Sequence, residues 1–141
     1  MRSEEECVRH AGECWDKGFN CAESAFRGVL YGMGVELPEH ALKVATPFGG
    51  GIGKSEDACG ALTGGVMGIG IALGRNDPKV DKMPSYNAAK ELHDRFVEVF
   101  GSSSCRVLNQ GDFTSDAHEV RCKHYTLESA RTAYRILASK R

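Results

Sequence analysis

Apolar residues recur at three- and four-residue intervals along most of this 141-residue chain and almost nowhere alternate with polar ones, so a sheet has little to build from. Only Phe113-Thr114 and scattered valines favour strand. Start and stop signals interrupt the helical spacing. Ser3-Glu4-Glu5-Glu6 has the form of a capping box, and Val8, Ala11, Cys14 and Trp15 follow it until Gly18. Asn20-Cys21-Ala22-Glu23 is a second such box, ahead of Ala25, Phe26, Val29, Leu30 and Met33. Pro38 suits the first turn of a short third helix that Thr46-Pro47 stops.

Gly49, Gly50, Gly51 and Gly53 read as a flexible loop, followed by a helix over 56–73 with Ser55 as its N-cap. Gly60, Gly64 and Gly68 stand four apart within it. Each glycine costs a helix about 1 kcal/mol relative to alanine, so the stripe implies that another backbone or a bound group comes close. An amphipathic helix over 84–100 uses Ala88, Leu92, Phe96 and Val99, and Gly101 closes it. A turn at 105–109, a helix over 116–125 and a last helix over 126–139 complete the chain. The expected fold is all-α: one domain over 1–141, a bundle of five to seven helices with a glycine-rich loop and a glycine-rich central helix.

A chain of this length buries roughly two-thirds of its unfolded surface, enough for a core without disulfide staples. The net charge of −1 argues against a nucleic-acid footprint. The longest weakly polar run, 58–73, covers about sixteen residues against the roughly twenty that cross a bilayer, so no membrane insertion is expected. Residues 1–10 carry Arg2 and Glu4 to Glu6 with no apolar stretch behind them, which points to a cytoplasmic protein. In that reducing compartment six cysteines are expected as free thiols, metal ligands or transient redox partners.

Cys21, Cys59 and Cys105 each follow a helix-start signal, namely Asn20, Ser55 and Ser104. Helix-start N–H groups and the dipole favour a thiolate there. Cys122 has Arg121, Lys123 and His124 beside it. Cys7 and Cys14 read as small core residues. None of the six forms a Cys-x-x-Cys pair, so a shared site has to be assembled by the fold from separate segments.

Gly18-Phe19-Asn20-Cys21-Ala22, Phe48-Gly49-Gly50-Gly51-Ile52-Gly53, Cys59-Gly60-Ala61-Leu62-Thr63-Gly64, Cys105 and Cys122 together resemble the redox-active protein family named for a C-GCAxxG-C-C cysteine pattern. The resemblance covers nearly the whole chain and implies a redox role for these four cysteines. Two chemistries remain open. In one, Cys21, Cys59, Cys105 and Cys122 ligate zinc or an iron–sulfur cluster for electron transfer, with Gly60 and Gly64 leaving room for the bound group. In the other they act as redox-active dithiols, with Cys59 the expected low-pKa attacker and Cys21 its companion, facing a redox partner protein or a small thiol or disulfide. The metal version fits four separated helix ends somewhat better. An alternative from another class is a non-enzymatic helical interaction module in which the thiols are structural and the glycine stripe serves homodimerisation.

Other motifs carry less. Gly51-Ile52-Gly53-Lys54-Ser55 imitates the end of a phosphate loop, but Phe48 stands where its first glycine belongs and no strand precedes it. The loop glycines can still offer N–H groups to an anion, including a thiolate. His10, His40, His93, His118 and His124 lack paired metal spacing, and Glu23 is expected to cap its helix.

Overall fold

The structure is a computed structural model that describes residues 1–140. Its helices are α1 (Glu4–Asp16), α2 (Cys21–Met33), α3 (Glu39–Leu42), α4 (Gly60–Leu73), α5 (Met83–Phe100), α6 (Cys105–Asn109) and α7 (Asp116–Ala138), with a 3-10 stretch, Lys43–Phe48, after α3. The bundle is all-α as the spacing implies. Among the described residues no strand forms, and one isolated antiparallel bridge joins Ala58 to Ser104. No helix among them is long and apolar enough to cross a membrane.

The two capping boxes form as the sequence implies. Ser3 and Glu6 exchange hydrogen bonds at the start of α1, and Asn20 and Glu23 do so at the start of α2, at 2.9 and 3.0 Å. Three elements differ from expectation. The third helix gives way to 3-10 geometry at Lys43, and that stretch runs through Pro47 to Phe48 rather than stopping before the proline. The glycine-rich helix begins at Gly60, with Cys59 as its N-cap, so Ser55 caps nothing and residues 56–59 are not helical. The two segments expected at 116–125 and 126–139 are one helix, because Cys122, Thr126, Ser129, Ala130, Ala133 and Leu137 continue a single buried face.

That long helix is the hub: α7 packs on α1, α2, α4 and α5. Val29, Ile69, Leu92, Phe96, Ala130, Ala133 and Ile136 fill the space between them. The glycine stripe brings α4 against α2. A Cβ on Gly64 would lie 2.4 Å from the Ala22 carbonyl oxygen, and one on Gly68 would lie 2.5 Å from the Val29 side chain. The close approach implied by the stripe is therefore made by a neighbouring helix of the same chain. Glu4 ties the start of α1 to α7, accepting from Arg131 at 2.8 Å and from Arg135 at 2.6 and 3.0 Å.

Candidate thiol site

Residues 56–59 and 103–106, the glycine loop and the helices α2 and α7 bring the cysteines together. Residues 56–59 run alongside 103–106: Cys59 N–H donates to Ser103 O at 2.8 Å, Cys105 N–H to Asp57 O at 2.6 Å and Arg106 N–H to Glu56 O at 3.1 Å. Arg106 Nε adds an ion pair with Glu56 at 3.2 Å. This clasp sets the N-cap of α4 beside the first residue of α6. Cys21, the first residue of α2, meets α4 from the other side, because Gly60 leaves room for its sulfur. Cys122 comes from α7.

The glycine loop closes the assembly. Gly50, Gly51 and Gly53 take positive φ, and so do Ile52, Lys54 and Glu56, at 68°, 62° and 61°. Left-handed backbone of this kind is costly for a residue with a Cβ and above all for a β-branched one. Glu56 and Asp57 N–H donate back to Gly50 and Gly51 O, each at 3.0 Å, so the segment is a tight coil rather than the flexible loop its composition suggests. A Cβ on Gly51 would stand 2.7 Å from Cys105 Cβ. Asn20 pins the other end: its Nδ2 donates to Thr46 O at 3.1 Å, and Glu23 accepts from Thr46 Oγ1 at 2.9 Å.

The thiols differ in acidity for identifiable reasons. Cys21 is held below an ordinary thiol, first by hydrogen bonding from the Cys122 thiol, and further by the backbone N–H groups of Gly50, Ala22 and Cys21, which together outweigh burial. Cys122 moves up, because its proton is the one retained between the two sulfurs and because it is buried. Burial first, and then the charge of Cys21, pushes Cys59 up to about 12, although the amides of Leu62 and Ala61 oppose this. Low acidity thus falls to Cys59 and high acidity to Cys21, the reverse of the order drawn from helix-start signals: burial dominates at Cys59, whereas the Cys122 thiol and nearby amides outweigh it at Cys21. Burial also raises Cys105, and negative charge on Cys21 adds to it. One thiolate therefore suppresses ionisation of the other three.

A cavity of about 440 Å³ opens onto Cys21, Cys105 and Cys122, which are 7%, 6% and 9% exposed. Cys59 does not line it. All six cysteines are free thiols. Among the described residues no group of three or more His, Cys, Asp or Glu side chains is disposed to hold a metal ion. The expected cationic neighbours are also engaged: Arg121 pairs with Asp112 at 3.1 Å and Lys123 with Asp16 at 2.9 Å. Gly60 and Gly64, expected to leave room for a bound group, face Cys21 and Ala22 of α2.

Residues 19–136 match the family described as "Putative redox-active protein (C_GCAxxG_C_C)". The chain belongs to this family. A curated protein of Archaeoglobus fulgidus, named "Uncharacterized protein", is similar to it at 28% identity over 131 residues, 86% of this chain and 87% of that one. No solved structure matches.

The C_GCAxxG_C_C match spans Cys21, Cys59, Cys105 and Cys122 and leaves out Cys7 and Cys14. Those two lie in α1 as core residues, with the Cys7 thiol turned to Ala130 O at 3.7 Å and pushed by burial to about 12. Two residues beside the family cysteines carry no sequence signal for the site. Asn109 is buried at the end of α6 and donates from Nδ2 to Cys105 O at 3.0 Å and to Cys105 Sγ at 3.7 Å. Its Oδ1 meets His118 Nδ1 at 2.9 Å, and His118 lines the cavity. The hint available was indirect, since His118 and Cys122 stand four apart on one helix.

Proposed function

We propose that this member of the redox-active family works as a dithiol, with Cys21 as attacking thiolate and Cys122 as the thiol that closes the disulfide. The observation carrying this reading is the unequal pair: a Cys21 sulfur kept acidic by its neighbour, at the wall of a cavity that admits a reactant. Cys21 thiolate attacks a low-molecular-weight disulfide RS–SR; the new bond is Cys21–S–S–R and one RS⁻ leaves. Cys122 sulfur then displaces the second RS⁻ from the mixed disulfide. The protein loses two electrons and the one proton held between the two sulfurs, and with a second proton from solvent two RSH form. Thiols recessed to this degree favour a small reactant over a folded partner protein.

The test uses the reduced protein with glutathione disulfide, followed by acid quenching and peptide mapping. A bridge between Cys21 and Cys122, absent in Cys21→Ser and still formed in Cys59→Ser, is the expected result; bridging through other cysteines overturns it. The competing reading, zinc or an iron–sulfur cluster on Cys21, Cys59, Cys105 and Cys122, is checked by iron, zinc and sulfide content of anaerobically purified protein. Stoichiometric metal would displace the dithiol reading. A cytoplasmic setting, which keeps such thiols reduced, suits this function.

A further inference from the structure

We propose that His118, oriented by Asn109, is the proton acceptor that serves Cys122 when the disulfide closes; this rests on the dithiol reading above. Asn109 Nδ2 is committed to Cys105 O, which can only accept, so Asn109 Oδ1 is the atom facing the imidazole. An amide oxygen cannot donate, hence His118 Nδ1 carries a hydrogen and Nε2 is left as the basic nitrogen. The same Asn109 oxygen accepts from Nδ1 whether Nε2 is bare or protonated. Orientation is therefore kept through a proton cycle.

Position agrees with this role. His118 and Cys122 stand four residues apart on α7, which places them on one face of the helix. Both line the same cavity. The ring is further fixed by Phe113, 5.5 Å away between centroids. The other charged groups around it are Lys54 and Glu56 across the cavity and the Asp112–Arg121 pair at the foot of α7. Of these, Glu56 is bound to Arg106 and Asp112 to Arg121, and Lys54 is a cation, so none offers a free base.

The step balances as follows. As Cys122 sulfur attacks the Cys21 sulfur of Cys21–S–S–R, its proton passes to His118 Nε2. The Cys21–S–S–Cys122 bond forms, the Cys21–SR bond breaks with its electron pair going to RS⁻, and the imidazolium returns the proton to give RSH.

The reduced full-length protein is mixed with glutathione disulfide, and closure of the Cys21 mixed disulfide is followed by quenching and mass analysis. His118→Gln, which keeps a hydrogen bond to Asn109 but takes up no proton, and His118→Ala should both slow closure about a hundredfold and let the mixed disulfide accumulate. Free imidazole should restore His118→Ala and leave the wild type unchanged. Closure in His118→Gln within roughly twofold of wild type, or a slowed His118→Ala that imidazole does not restore, overturns the role and leaves the dithiol reading standing. Failure of the wild type to bridge Cys21 to Cys122 removes that reading and this one with it.

Discussion

Gly60 and Cys21 occupy each other's space: a Cβ on Gly60 would stand 2.5 Å from Cys21 Sγ and 2.9 Å from Phe48 O. The first residue of α4 is thus the floor on which the Cys21 sulfur of α2 rests. Gly60→Ala has to displace either that sulfur or the backbone of the 3-10 stretch, and reaction of Cys21 with iodoacetamide should change in rate while the bundle remains folded by circular dichroism.

The remaining glycines of α4 separate by what they face. Gly64→Ala drives a methyl into the Ala22 carbonyl and should destabilise by about 1–3 kcal/mol, whereas Gly70, with nothing within 4 Å, should gain about 0.5–1 kcal/mol on change to alanine. Urea denaturation of the two variants gives opposite shifts in midpoint if the stripe is a helix contact.

Cys122→Ala removes the first cause of the low Cys21 proton affinity. The rate of Cys21 alkylation follows its thiolate fraction, so the pH at which the rate is half-maximal should lie below the ordinary 9.0 in wild type and move upward in the variant. Rate against pH, with modification assigned to Cys21 by peptide mapping, checks the direction.

Ile52 is exposed and holds φ at 68°. Ile52→Gly relieves the left-handed backbone at little loss of packing, and although glycine gains freedom in the unfolded chain, the net change should be a stabilisation of about 0.5–1 kcal/mol. A lower denaturation midpoint in the variant would show that the residue carries no such strain.

Asp112 accepts from the Ser115 side chain first, from the Thr114 and Ser115 amides, and from Arg121, which hold its carboxyl below the ordinary 3.8. A depressed folded-state value means that its stabilisation is fully present above the unfolded value and disappears as pH falls through the folded one. Asp112→Asn should therefore be less stable than wild type near neutrality, and the two melting curves should converge in acid.

Much of the bundle was legible because helix punctuation is local. Ser3, Asn20 and Ser104 act where their chemistry puts them, each accepting a backbone N–H of its first turn. Ser55 misled because positive φ at Lys54 and Glu56 depends on hydrogen bonds returning to Gly49, Gly50 and Gly51, which no propensity reveals. That the chain belongs to the cysteine-motif family was also legible, and Cys21, Cys59, Cys105 and Cys122 all lie within the matched stretch. Their ranking was not: Cys59 has a helix start beside it, but the enclosure that raises it comes from segments far away in the chain. The Asn109–His118 contact joins α6 to α7 and so depends on how those two helices pack, which local spacing does not encode.

Because Cys21 opens α2 and Cys122 lies on α7, far apart in the chain, the low proton affinity of Cys21 exists only where those two helices are packed together. Whatever loosens α7 from α2 therefore removes that acidity along with the contact, which makes it a property of the tertiary structure rather than of any local segment.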